Sequence, residues 1–168
     1  SERSRGLGDV YKRQHEKAEV ARAAGCHHPV VRSEQSFVDV VREVTDGEGC
    51  AVVYEAIGKD TMQHSLDSLR PMGVCAAYGH VSGPPDPVDI IQDLGRRGSL
   101  FITRPAIMHY VAKRADLEWT ARDLFKAIGD GLIEANINYE YALKDAVKAH
   151  EAIESGKTLG CLLYTSDA

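Results

Sequence analysis

Apolar runs of strand length alternate with longer segments of helical spacing along most of this chain. Residues 51–54 are apolar in succession, which predicts a central strand covered on both faces. Further strands are predicted at residues 29–31, 73–79, 98–105 and 158–163. This alternation predicts an α/β fold with a doubly wound parallel sheet.

Five segments have the spacing of amphipathic helices. They cover residues 16–24, 37–45, 60–69, 117–128 and 143–155. Ser36 followed by Asp39 resembles a capping box before the second helix, and Asp60 with Gln63 is expected to cap the third. Pro71 is expected to end that helix, because proline cannot continue its hydrogen bonds. The residues expected to face the sheet are Phe37, Val40, Val41, Val44, Met62, Leu66 and Leu69.

A ligand of such a sheet binds beyond the carboxyl ends of the strands. The segments EAIG, residues 55–58, and AYGHVSG, residues 77–83, are predicted to lie there. A Rossmann site normally opens with a glycine-rich turn whose amides approach a pyrophosphate. Neither G-x-G-x-x-G nor G-x-x-x-x-G-K occurs in this chain, so the sequence does not contain that loop.

Composition narrows the possible partners. The chain has 168 residues, 43% of them hydrophobic, and a net charge of -5, which indicates a globular protein without the basic face that nucleic acids require. No apolar run reaches the roughly 18 residues of a membrane span, and we expect a cytoplasmic protein. The four cysteines have no metal-binding spacing, so we expect buried, reduced thiols and no metal site.

Five blocks of the sequence carry a resemblance to a known family. They are EKAEVARAAG, VVYEAIGKDTMQHSLDSLRPMG, YGHVSG, GSLFITRP and LKDAVKAHEAIESGKTLGCLL. In order and spacing they resemble the C-terminal half of the NADPH-dependent quinone oxidoreductases, the zinc-free branch of the medium-chain dehydrogenase/reductase superfamily. The resemblance runs from about His15 to Leu163.

The resemblance implies a division of the chain. Residues 15–133 would form part of an NADPH-binding Rossmann-type domain, and residues 134–163 would return, as a helix and a strand, to a GroES-like catalytic domain. Most of that domain and the glycine-rich loop would precede His15. The segments 1–14 and 164–168 match nothing in the family, and we expect them to be non-native tails.

The resemblance also implies cofactor contacts. Lys17 would contact the adenosine 2'-phosphate, and Arg32, where the family usually has tyrosine, could hold the same phosphate by a forked pair of bonds. Ala56 would let the cofactor pass close to the backbone. The remaining implied contacts are Tyr78, Gly79, His80, Ser82, Phe101, Ile102, Thr103 and Lys157. His80 stands where relatives often have an amide, and Arg104 could be a cofactor contact or a structural partner.

The activity implied is hydride transfer from NADPH to a quinone, an enone or a similar electrophilic carbonyl compound, without a metal. No catalytic residue can be assigned within the chain. A homodimer is implied through the strand from Ser99 to Thr103, since edge pairing would satisfy its backbone groups. The alternatives are a zinc-dependent alcohol dehydrogenase of the same superfamily and a noncatalytic NADPH-binding or structural protein.

Overall fold

The structure, a computed structural model, describes residues 15–134, 137–156 and 158–165. The helices are α1 (15–23), α2 (Phe37–Val44), α3 (Met62–Asp67), α4 (Ile107–Tyr110), α5 (Arg114–Gly129) and α6 (Ala146–Glu154), with a π-helical turn at Ile90–Gly95 and a 3-10 turn at Leu143–Asp145. The strands are β1 (Cys50–Glu55), β2 (Leu69–Ala77), β3 (Phe101–Thr103), β4 (Ile137–Ala142) and β5 (Cys161–Thr165).

These elements form two compact units. The unit Arg22–Lys113 contains a parallel sheet in the order β1-β2-β3. The other unit, which combines the segment up to Ala21 with the chain from Arg114 onward, contains the parallel pair β4-β5. The predicted α/β class with parallel strands is confirmed.

The core of the unit Arg22–Lys113 lies between α3 and its sheet. Its buried members are Met62, Leu66, Leu69, Cys75, Ala77 and Leu100. Met62 and Leu66 lie one helical turn apart on α3, so burying this face holds the helix against β1 and β2. The apolar stripe predicted for this segment is therefore confirmed, although Leu69 belongs to β2 rather than to the helix.

The strand predicted at residues 29–31 is wrong, because this segment has no regular structure and leads into a turn at residues 32–34. The carbonyl of Val31 accepts hydrogen bonds from the amides of Glu34 at 2.9 Å and Gln35 at 3.2 Å. None of the described strands pairs with this segment. A strand exists only through its pairing partner, which hydrophobic pattern alone does not reveal.

The two predicted helix starts have different outcomes. Ser36 caps α2, since its hydroxyl accepts from the amide of Asp39 at 3.3 Å. Asp60 does not cap α3, whose N-cap is Thr61 without a side-chain bond. The amide of Asp60 bonds to Ser82 instead, at 3.0 Å. In α2 the buried residue is Val38, so the face predicted from Phe37 to Val44 is displaced.

The strand boundaries also differ from the prediction. β2 begins at Leu69 and includes Pro71, so Pro71 lies in the strand and α3 has already ended at Asp67. β1 lies at an edge of its three-stranded sheet, and Tyr54 is 75% exposed, so β1 is not covered on both faces there. β4 was not predicted, and β5 extends to Thr165, two residues into the segment expected to be a tail.

Two further observations concern the predicted partners and thiols. Among the described helices, none is long and apolar enough to cross a membrane.

All four cysteines are free, but only Cys75 is buried, so the prediction of buried thiols fails for the exposed Cys26 and Cys161. Burial and the charge of Glu55 raise the pKa of the Cys75 thiol to about 11.

Candidate cofactor-binding site

The β1 turn, residues 55–59, is the first of two turns at the carboxyl edge of the sheet. It begins with Glu55, a residue that is only 3% exposed. Its Oε1 accepts from the amides of Ile57 at 2.6 Å and Gly58 at 3.0 Å and from the Thr61 hydroxyl at 2.9 Å, and Oε2 accepts from the Ser65 hydroxyl. The turn is therefore built around a buried carboxylate.

The charge of Glu55 is favoured by these partners. Burial raises the pKa of Glu55, but the hydrogen bonds from Ser65, Gly58, Ile57 and Thr61 together outweigh it and lower the pKa below its ordinary value of 4.5. The carboxylate is therefore ionised at neutral pH although it is buried.

The β2 turn, residues 78–83, follows β2 and is hydrogen-bonded to the β1 turn. The carbonyl of Ile57 accepts from both the amide and the hydroxyl of Ser82 at 2.8 Å, and the Lys59 amide donates to the carbonyl of Gly83 at 3.0 Å. The Ser82 hydroxyl also accepts from the amide of Asp60. Because its proton is donated within the protein, Ser82 can only accept a hydrogen bond from a ligand.

Two glycines allow the turns to approach this closely. A Cβ built on Gly79 would lie 2.3 Å from the carbonyl oxygen of Ala56, and one built on Gly58 would lie 2.4 Å from that of Gly83. Gly58 also has a φ of 92°, which favours glycine. Gly79 therefore needs to lack a side chain because of the protein's own packing, whatever ligand lies beside it.

Arg104 extends the site from the end of β3. One guanidinium nitrogen donates to the carbonyl of Ala77 at 2.6 Å, and the other lies 3.1 Å from Nδ1 of His80. A guanidinium has no acceptor, so Nδ1 accepts this bond and the ring N–H is at Nε2. The structural partner role considered for Arg104 is thus present in the structure.

The Arg104 pocket is the pair of adjoining cavities beside this contact, of about 200 and 340 Å³. Their lining residues are Met62, Ala77, Gly79, His80, Pro84, Pro85, Val88, Ile102, Thr103 and Arg104. Neither lining includes a carboxylate, and most of these side chains are apolar. The pocket thus combines an apolar wall with one fixed cation at its rim.

The strand β3 brings its carboxyl end to the same edge. Phe101 pairs with Val74, Ile102 with Cys75 and Thr103 with Ala76, all in parallel register. Parallel strands end on one side of a sheet, so Thr103 lies near the β2 turn. The structure therefore brings together, in one unit, Ala56, Tyr78, Gly79, His80, Ser82, Ile102 and Thr103.

The predicted phosphate contacts do not belong to these two turns. Arg32 is exposed and lines a cavity of about 190 Å³ with Ser36, Asp60 and His64 among its walls. Lys17 belongs to the other unit, where its ammonium donates to the carbonyl of Gly156 at 3.3 Å. Lys157 lies outside the described residues.

Comparison with known protein families identifies the fold. Residues 10–121 match the model of the zinc-binding dehydrogenases. The chain belongs to this family. Within the medium-chain dehydrogenase/reductase superfamily, its relatives place it in the branch of the zinc-independent quinone oxidoreductases.

The chain is similar to three named oxidoreductases. A 2-haloacrylate reductase of Burkholderia sp is 48% identical over 91% of this chain and 46% of the relative. A quinone oxidoreductase of Salmonella typhimurium is 39% identical over 88% and 46%. The crystal structure of Escherichia coli quinone oxidoreductase complexed with NADPH has 35% identity and a TM-score of 0.82, over 89% of this chain and 46% of that one. The chain therefore spans about half the length of the dehydrogenases that it matches.

The sequence did not reveal the central residue of these two turns. Glu55 is the one charged residue directly after the apolar run 51–54, and it precedes a turn of small residues. A carboxylate at the end of a buried strand must find donors, and amides of a following turn and helix start are the nearest source. That signal could have identified Glu55, whereas the register that joins the two turns could not be inferred from the sequence.

Proposed function

We propose that this chain is the cofactor-binding half of an oxidoreductase that transfers a hydride from NADPH to a quinone or a similar electrophilic carbonyl compound. The observation that supports it is the pair of hydrogen-bonded turns at the carboxyl edge of the sheet, on a chain of the zinc-independent quinone oxidoreductase branch. This edge is where a doubly wound sheet binds a dinucleotide.

The residues present fit the chemistry of a dinucleotide. The buried Glu55 turns its carboxylate inward, so it adds no outward negative charge to repel phosphates, while Arg32, His80 and Arg104 are exposed. Ala56 offers little bulk at the tip of β1. When bound, NADPH supplies the hydride, and the protein contributes position and the exclusion of water.

The expected contacts divide between the two ends of the cofactor. Lys17 and Arg32 would meet the 2'-phosphate of the adenosine end, and Lys157 would meet a phosphate or a ribose. The backbone from Phe101 to Thr103 would bond the nicotinamide carboxamide. Tyr78, Gly79, His80 and Ser82 would line the nicotinamide side, with Ser82 accepting from a ribose hydroxyl.

A second candidate substrate is an electron-poor unsaturated carboxylate. Arg104 presents a cation beside a pocket whose lining has no carboxylate, and a guanidinium can bind a carboxylate by two parallel bonds. Two guanidinium nitrogens of Arg104 already have partners in Ala77 and His80. Arg104 would therefore bind the substrate carboxylate together with the Nε2 proton of His80. The 48% identical relative is a 2-haloacrylate reductase, whose named substrate class is acidic.

Steady-state kinetics of the whole protein encoded by the gene would separate these candidates. NADPH oxidation is measured with 1,4-benzoquinone and with 2-chloroacrylate as acceptors, in the wild type and in Arg104→Gln. If the acceptor is a quinone, benzoquinone turns over and 2-chloroacrylate does not. If the acceptor is a carboxylate, 2-chloroacrylate turns over and Arg104→Gln lowers its kcat/KM about tenfold or more. If NADPH is oxidised with neither of these acceptors, both candidate substrate classes are contradicted.

The dimer proposed through the strand from Ser99 to Thr103 has its own test. Phe101 is 60% exposed on the edge strand β3, and Phe125 on α5, which belongs to the other unit, is 69% exposed. Phe101→Asp should convert a dimer of the whole protein to monomer in light scattering, because an edge charge opposes strand pairing. Phe125→Asp is the matched control and should leave the dimer intact. A wild-type monomer, or an unaffected Phe101→Asp dimer, would contradict this interface.

A further inference from the structure

Glu55 is a buried carboxylate without a cationic partner among the described residues. Its four side-chain bonds come from two amides and two hydroxyls, all from residues 57–65. The pairing of β1 with β2 uses backbone groups and does not need this side chain. A buried charge is costly unless it is fully hydrogen-bonded, so the position requires a reason beyond sheet formation.

The bonds of Glu55 reach both turns of the site. Its side chain holds the amides of Ile57 and Gly58 in the β1 turn. Its main-chain carbonyl accepts from the amides of Tyr78 at 2.9 Å and Gly79 at 3.2 Å in the β2 turn. One residue therefore contacts both turns, of which the first carries the expected cofactor neighbour Ala56 and the second the expected nicotinamide contacts from Tyr78 to Ser82.

The orientation of the β1 turn also determines the position of the β2 turn. The carbonyls of Ala56 and Ile57 accept from the amides of Val81 and Ser82 at 3.3 and 2.8 Å. These two carbonyls point toward the β2 turn while the adjacent amides of Ile57 and Gly58 point back toward Glu55. Without an acceptor for those amides, the peptide planes could rotate and the carbonyls would lose their partners.

We infer that Glu55 is a positioning residue, whose carboxylate orders the β1 turn and through it the β2 turn for the cofactor. The part of this inference that concerns the cofactor rests on the proposed function. The ordering of the turns does not, because it concerns contacts within the protein alone. The competing explanation is that Glu55 stabilises the fold as a whole without a specific effect on the turns.

Three variants of the whole protein distinguish the two explanations. Glu55→Ala leaves the Ile57 and Gly58 amides and two hydroxyls without their acceptor. Glu55→Gln is the conservative rescue, because its oxygen can accept from the same three Oε1 donors while its NH₂ donates to the Ser65 hydroxyl. Leu69→Ala is the control for general destabilisation, since Leu69 is buried at the opposite end of β2.

Amide hydrogen exchange of the protein without cofactor is the first measurement. Glu55→Ala should raise the exchange rates of residues 56–59 and 78–83 about tenfold or more, with β2 still protected. Glu55→Gln should restore most of the protection. Leu69→Ala should leave the difference in exchange rate between the two turns and β2 unchanged. Unchanged exchange at 78–83 in Glu55→Ala would overturn the inference, and so would uniform loss of protection across the sheet. If Glu55→Ala does not fold, Ser65→Ala takes its place, with a smaller effect on the same two segments.

The KM for NADPH, at a saturating acceptor, is the second measurement. Glu55→Ala should raise it about tenfold or more per folded molecule, and Glu55→Gln should return it to within about threefold of the wild type. A purely structural role would lower the folded fraction and leave KM unchanged. A wild type that does not bind NADPH would contradict the proposed function, while hydrogen exchange would still decide whether Glu55 orders the turns.

Discussion

At the scale of single residues, the site depends on groups whose chemistry is fixed by their neighbours. The ionised form of Glu55 is favoured by four donors, and the tautomer of His80 is set by Arg104. The Ser82 hydroxyl has its proton committed to Ile57. These three assignments define which atoms remain available to a ligand: the Nε2 proton of His80 and a lone pair of Ser82.

The lowered pKa of Glu55 predicts a pH dependence of stability. A carboxyl group with a lower pKa in the folded state stabilises the protein above its ordinary pKa of 4.5, and this contribution is lost as pH falls through the folded pKa. Glu55→Gln should therefore be less stable than the wild type at pH 7, on the order of 1 kcal/mol. The difference should be constant down to about pH 5 and should shrink below pH 4.

Urea unfolding of both proteins at pH 7, 5, 4 and 3.5 measures this difference. The glutamine variant has no titrating group at position 55, so the comparison cancels the effects of the other carboxylates. If the difference in free energy of unfolding between the wild type and Glu55→Gln stays constant to pH 3.5, or widens there, the pH dependence assigned to Glu55 is contradicted.

At the scale of elements, the turns depend on the close approach of two backbones at Gly79. Gly79→Ala should destabilise the protein by about 1–3 kcal/mol, since its Cβ would lie 2.3 Å from the Ala56 carbonyl and the turns would have to separate. Gly129→Ala at the end of α5 is the matched control, with no atom within 4 Å of its Cβ. Thermal unfolding should show a lower Tm for the first variant and little change for the second. Equal Tm values for Gly79→Ala and Gly129→Ala would show that the turns separate without a loss of stability.

The same scale shows what the sequence could and could not reveal. The alternation of strands and helices, the Ser36 cap and the burial of Met62 and Leu66 followed from local pattern, and the structure confirms them. The wrong strand at 29–31 and the unpredicted β4 both concern pairing, which depends on distant segments. The sequence predicted that residues 55–58 and 77–83 lie at the carboxyl edge of the sheet, where the structure has them, but not that Gly79 is required by the approach of Ala56.

At the scale of the whole molecule, the chain forms two compact units and covers only part of the length of its relatives. The chain spans about half the length of the dehydrogenases that it matches, and β1 is an edge among the described strands. Tyr54 and Val52 are exposed along that edge strand. An open apolar edge invites pairing with another strand, so the whole protein is the appropriate object for every kinetic test above.

The last prediction concerns cofactor binding by this chain alone. Its sequence lacks the glycine-rich turn whose amides hold a pyrophosphate, so we expect NADPH to bind at least about a hundredfold more weakly than to the whole protein, or not at all. Calorimetric titration of both with NADPH measures the difference, and circular dichroism establishes that the chain is folded. Arg32→Gln in the whole protein is the companion variant, expected to weaken NADPH more than NADH because only NADPH carries the 2'-phosphate. Tight, saturable binding of NADPH by this chain would show that the groups described here bind the cofactor without a glycine-rich loop.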